Sequence, residues 1–219
     1  MQGKSLTFAS TYSASSPPIA TTLNIKVARG KHLMAAAINR LLGWATIKRF
    51  IAAFLFSSFI GFVAMPWLHS RWMPDGSPGP LDLKFAYSAH DAAAQIQAFS
   101  DGGRSGYRLF LLTIDVIYPI AYTLMFMWAI ALLQLRTRRE KSMLPVAPAL
   151  AAFVFDIMEN VTIGLMLTLH PDQPHALGWM ASLFTTMKWL SIVLAIAAII
   201  MLIVARLSAA KDVGAGEEI

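Results

Sequence analysis

The chain has 219 residues, 57% of them hydrophobic and only 14% charged, with a mean hydropathy of +0.58. Soluble domains carry about 25% charged residues, so the composition excludes an ordinary soluble fold and points to a protein embedded in a lipid bilayer. The formal net charge is +6 and there is no cysteine. This excludes disulfides, thiol nucleophiles and thiolate metal sites; basic residues clustered beside apolar segments suit anionic lipid, not nucleic acid.

Residues 1–33 are rich in Ser, Thr and Ala around Pro17-Pro18. Such a segment is expected to be disordered, because it has little apolar surface to offset chain entropy. No apolar core or cleavage site follows Lys4, so it does not read as a secretory signal. Met34 offers a second start, and a chain beginning there is expected to insert normally. Residues 34–208 form one transmembrane domain with apolar spans at about 50–68, 109–135, 144–169 and 177–205, and 209–219 is a short polar tail. These lengths match a hydrocarbon core about 30 Å thick. The expected fold is all-α: a polytopic, antiparallel bundle of four transmembrane helices, with a short extracytoplasmic helix between the first and second spans.

In the first span Ala53, Ser57 and Gly61 recur every four residues, a small-residue stripe that lets helices approach closely in lipid. Trp67 and Trp72 mark the far interface. The loop 69–108 opens with a turn-rich run from Asp75 to Pro80. Leu81 to Tyr87 alternates apolar and polar and is expected to be extended, with no obvious partner strand. Ser88 and Asp91 have capping-box spacing and should open the short helix, which Gly102-Gly103 should end.

In the second span Asp115, Tyr118, Pro119 and Tyr122 follow i, i+3, i+4, i+7 spacing and share a face. Pro119 frees the carbonyl one turn back, near Asp115, and is expected to kink the helix. The third span places Asp156, Glu159 and Asn160 on a face with Ala149 and Ala152; the fourth carries Lys188 with Thr185 and Ser191 one turn either way. Ionisable groups inside a bilayer cost about 2.5 kcal/mol each or more, so they face the protein interior or a water-filled cavity. At about 1.5 Å per residue, Asp115 lies roughly 9 Å below the outer end of its span, and Glu159 and Lys188 lie near 15 Å. The three polar faces should therefore meet: Asp115, Asp156 and Glu159 against Lys188. Three buried negatives and one positive cannot all stay ionised, so a proton or a cation must complete the balance.

Orientation follows the distribution of Lys and Arg: seven before the first span, four in the 136–141 link and two from Arg206 on, against four in the 69–108 loop and none in 170–176. The positive-inside rule then places both termini in the cytoplasm, as expected of a bacterial inner-membrane protein. His69, His170, Asp172 and His175 fall on the outer side but match no metal-ligand spacing, Glu-x-x-His is absent, and no metal or other cofactor is expected.

The set Leu81-Asp82-Leu83, Phe85, Tyr87, Gly103-Arg104, Tyr107, Asp115-x-x-Tyr118-Pro119-x-x-Tyr122, Asp156-x-x-Glu159-Asn160, Thr185 and Lys188-Trp189 resembles a family of bacterial four-helix integral membrane proteins. The resemblance covers about residues 81–190 and implies the fold and the intramembrane cluster, with no activity attached. Four readings follow. The first is a site for a small cationic or polar ligand built from Asp115, Tyr118, Tyr122, Asp156, Glu159, Asn160, Thr185 and Lys188. The others are an intramembrane enzyme acting on a lipid or isoprenoid through a carboxyl acid or base, a proton-coupled transporter acting as a dimer, and a structural partner of another membrane protein. The bilayer is the one partner the sequence implies outright, and oligomeric state is left open.

Overall fold

The computed structural model describes residues 43–73, 78–135 and 142–214, together with Ala36 and Arg40, with side chains described as far as Ser208. The chain divides into two units, Met1–Ala37 and Ile38–Ile219, and the spans belong to the second. The segment expected to be disordered and the basic link 136–141 lie outside the described residues.

The second unit is all-helical among the described residues. Its order is α1 (Ile47–Phe59), a π-helical turn (Ile60–Ala64), α2 (Met65–Trp72), a 3-10 turn (Leu81–Leu83), α3 (Ala89–Ala98), α4 (Asp101–Leu112), α5 (Ile114–Leu135), a second 3-10 turn (Leu144–Val146), α6 (Ala147–Leu169) and α7 (His175–Gly214). Four helical stretches are long and apolar enough to cross a membrane: Ile47–Trp72, Asp101–Leu135, Leu144–Leu169 and His175–Ser208. The first, second and fourth run past the bounds that hydropathy suggests, because polar residues such as Arg71, Arg104 and His175 continue the helices beyond their apolar cores.

Spans two, three and four pack on one another, while span one packs mainly against span two. Tyr122 meets Asp156 and Gln134 meets Ser142, so spans two and three run antiparallel. The small-residue stripe faces this contact: Ala53 and Ser57 are buried, and a Cβ on Gly61 would stand 3.1 Å from the Tyr118 hydroxyl. At the other end of spans two and three, the Gln134 amide donates to the Ser142 carbonyl at 2.8 Å and accepts from its N–H at 2.9 Å, closing the turn between the spans.

On the opposite side, the loop between spans one and two folds into a cap. Leu81, Ile96, Phe99, Tyr107, Phe110 and Leu111 pack with Ile163, Met166 and Ala181 in the largest apolar core of the molecule. The Ser88–Asp91 capping box is present and starts α3. Hydrogen bonds from the Ser88 hydroxyl and N–H hold the Asp91 carboxyl below the usual carboxylate range.

Two local expectations are corrected. Leu81–Tyr87 is not extended throughout: it begins as a 3-10 turn and turns extended at Lys84, and its partners are side chains of α7, with the Tyr87 N–H donating to Ser182 Oγ at 3.0 Å and Thr186 Oγ1 donating to the Phe85 carbonyl at 3.1 Å. Gly102-Gly103 does not end α3. That helix stops at Ala98, where Phe99 turns extended, and the Ser100 hydroxyl caps α4 by accepting from the Gly103 N–H at 3.1 Å. The glycine that matters here is Gly106, where a Cβ would sit 1.9 Å from the Trp72 carbonyl oxygen; the end of α2 crosses α4 on bare backbone. The helical break in span two falls at Thr113, where φ is −119° and ψ −91°, and Pro119 sits inside the continuous α5.

Candidate functional site

The polar residues of the three packed spans meet in one buried cluster. Lys188 of α7 places its Nζ 2.5 Å from Glu159 Oε2 and 3.7 Å from Asp156 Oδ1, both on α6. Among the described residues those two carboxylate oxygens have this ammonium alone as partner. Each remaining oxygen has its own donor: Tyr122 Oη gives a hydrogen bond to Asp156 Oδ2 at 2.8 Å, and Thr185 Oγ1 approaches Glu159 Oε1 at 2.5 Å. Glu159 and Thr185 are fully buried and Lys188 is 5% exposed. An ammonium this deep is tolerable only because its charge and its protons are met.

Asn160 has a different task. Pro119 has no N–H, so the Asp115 carbonyl four residues earlier has no helical donor. The Asn160 amide supplies one across the interface, donating to that carbonyl at 2.7 Å. The Asp115 side chain is buried beside it, and its Oδ2, like Asn160 Oδ1, has no hydrogen-bond partner among the described residues. Tyr118 stands on the edge of the cluster, stacked edge-on with Tyr122 at 5.4 Å between ring centroids and pressed against Gly61 of span one.

Residues from the cap complete the site. The Asp82 carbonyl accepts from Lys188 Nζ at 3.4 Å and from Trp189 Nε1 at 3.3 Å. Its carboxylate receives the Tyr107 hydroxyl at 3.3 Å, and that hydroxyl in turn accepts from the Leu81 N–H at 2.8 Å. Tyr87 Oη pairs with Thr185 Oγ1 at 3.1 Å, making a relay of hydroxyls that ends on Glu159. Burial pushes the Tyr87 phenol far above its usual range, so it acts as a neutral hydrogen-bonding group. Asp82, Tyr87 and Tyr107 were visible in sequence only as part of the family-like pattern; nothing in their spacing places a loop carbonyl against a membrane lysine.

The charge balance is therefore more negative than the spans alone imply: Asp82, Asp115, Asp156 and Glu159 are all buried, against Lys188. Among the described residues no three His, Asp or Glu side chains converge as a metal would need, and His69, His170 and His175 lie apart from any such group. The fold and the cluster define the class: a multi-pass helical membrane protein with buried acidic residues and a buried salt bridge. Compared with family models, curated proteins and solved structures, the chain has no match.

Proposed function

We propose that the buried acidic cluster is a binding site for a small cationic or polar ligand. The observation that carries this reading is Asp115: a carboxylate 3% exposed, with one oxygen unpartnered, in a cluster already short of positive charge. Lys188 is spent on Glu159 and Asp156, which form the clamped half of the cluster. Asp115 is the unpaired half, and a proton or a polyatomic cation with N–H donors would complete it. The distribution of Lys and Arg supports cytoplasmic termini, with the cap and the cluster toward the outer side.

The test is thermal unfolding of the purified protein in mild detergent, with ammonium, methylammonium or tetramethylammonium chloride against matched sodium chloride. A ligand present at about 100 times its Kd stabilises by about 2.7 kcal/mol. One of these ions should raise the midpoint of the wild-type protein and leave Asp115→Asn unmoved. Equal response of both proteins to all three would leave the cluster as a structural clasp only.

A further inference from the structure

A second feature meets the cluster at Asp82 and does not rest on that reading. Between span one and the loop at 79–83 there is an open cavity of about 340 Å³, within the range of small-molecule sites. Gly61, Met65, Leu83 and Phe110 supply apolar wall, and Asp82 and His69 supply polar groups. Three independent observations single it out. On the span-one side Gly61 lies in the π-helical turn Ile60–Ala64 and Met65, Pro66 and His69 follow it on α2; π-helical turns are rare and frequent at functional sites. The His69 Nε2 atom is buried with no hydrogen-bond partner among the described residues, which costs stability unless something supplies one. Asp82 brings a buried carboxylate whose one described hydrogen bond is the 3.3 Å contact from Tyr107.

We infer that this cavity binds a single-chain amphiphile with a primary amine head, its tail along span one and its head at Asp82 and His69. The chemistry follows from the lining. The apolar wall supplied by span one and Phe110 suits an alkyl chain, and a buried carboxylate calls for a cation. A protonated primary amine has three N–H donors, enough to answer both the Asp82 carboxylate and the free His69 nitrogen. A quaternary ammonium head answers only the charge, so the site should prefer the primary amine.

The experiment uses the full chain in nanodiscs of zwitterionic lipid and a dodecylamine carrying a diazirine in its chain, with crosslinks mapped by mass spectrometry. Labels should concentrate in residues 61–69 and 79–83 and be displaced by dodecylamine at lower concentration than by dodecyltrimethylammonium. Asp82→Asn should lower apparent affinity about tenfold or more, the loss of a charge-assisted hydrogen bond. Leu83 is 69% exposed, so Leu83→Trp blocks the mouth without touching the buried cluster and keeps the test usable if Asp82→Asn does not fold. Asp115→Asn, which tests the small-cation reading, keeps both Asp82 and His69, so the labels should stay in the same two segments. Labels spread over all lipid-facing surfaces, or undiminished in Leu83→Trp, would overturn the site. Labels lost in Leu83→Trp but kept in Asp82→Asn, or displaced equally by both heads, would overturn the amine assignment.

Discussion

Lys188→Met removes one charge from a place where nothing else can supply it. In the wild-type protein the ammonium is 2.5 Å from Glu159 and 3.7 Å from Asp156, and it also donates to the Asp82 carbonyl. Removing one partner of a buried pair costs about 3–5 kcal/mol, because the other charge remains buried and uncompensated. For a chain of 150–250 residues that corresponds to a fall in Tm of about 6–20 °C, at 2–4 °C per kcal/mol. Removing both partners should be far milder, and the distances say which second change rescues. Coulomb attraction scales inversely with separation, so the Glu159 pairing is about 1.5 times the Asp156 pairing. Lys188→Met with Glu159→Gln should therefore recover more stability than Lys188→Met with Asp156→Asn. Thermal unfolding in detergent, followed by tryptophan fluorescence, measures all four proteins. A single mutant within about 1 kcal/mol of wild type, the worth of an exposed ion pair, or double mutants no better than the single, would refute the clamp.

Asn160→Leu should cost about 1–3 kcal/mol by leaving the buried Asp115 carbonyl without a donor, and adding Pro119→Ala should restore much of it by returning the helical N–H; no rescue would mean the two residues are not coupled. Gly106→Ala should destabilise by about 1–3 kcal/mol, because the new methyl meets the Trp72 carbonyl at 1.9 Å. Gly164→Ala, which points into open space, should be neutral or stabilising by up to about 1 kcal/mol; equal effects of the two would refute the close crossing of α2 and α4. Single cysteines at His90 and Gln173 should react with an impermeant thiol reagent from outside, and one at Thr137 should not, against zero background in a cysteine-free chain. The reverse pattern would invert the topology.

The helical spans were legible because lipid admits only one pattern, a long apolar run, and each run is interrupted just where interior-facing groups are needed. The meeting of Glu159 with Lys188 was legible for the same reason: both are expensive in lipid, and counting residues from the outer ends sets them at one depth. The stripe of Ala53, Ser57 and Gly61 also announced its face, and its partner is span two. The cap was not legible in this way. Asp82 sits in a loop where a carboxylate costs nothing if solvated, and only the fold shows that carboxylate turned inward to Tyr107 and the residue's carbonyl against Lys188 and Trp189. Thr113 breaks its helix with no proline or glycine to signal it, while Pro119, the residue that looks like a break, is absorbed because Asn160 serves the carbonyl it leaves bare.

The clamp also constrains the order of assembly. Span three carries Asp156 and Glu159 and no cation of its own, and each ionised side chain at a helix centre costs about 2.5–3.5 kcal/mol to insert. Its counter-charge comes from span four, joined to it by the few residues between Leu169 and His175. The two spans are therefore cheapest to insert as one hairpin, with Lys188 already against Glu159 as they leave the insertion machinery. The Asp82 loop is synthesised earlier and its carbonyl has these partners only once that hairpin is in place, so its contacts with Lys188 and Trp189 tie the first half of the chain to the last.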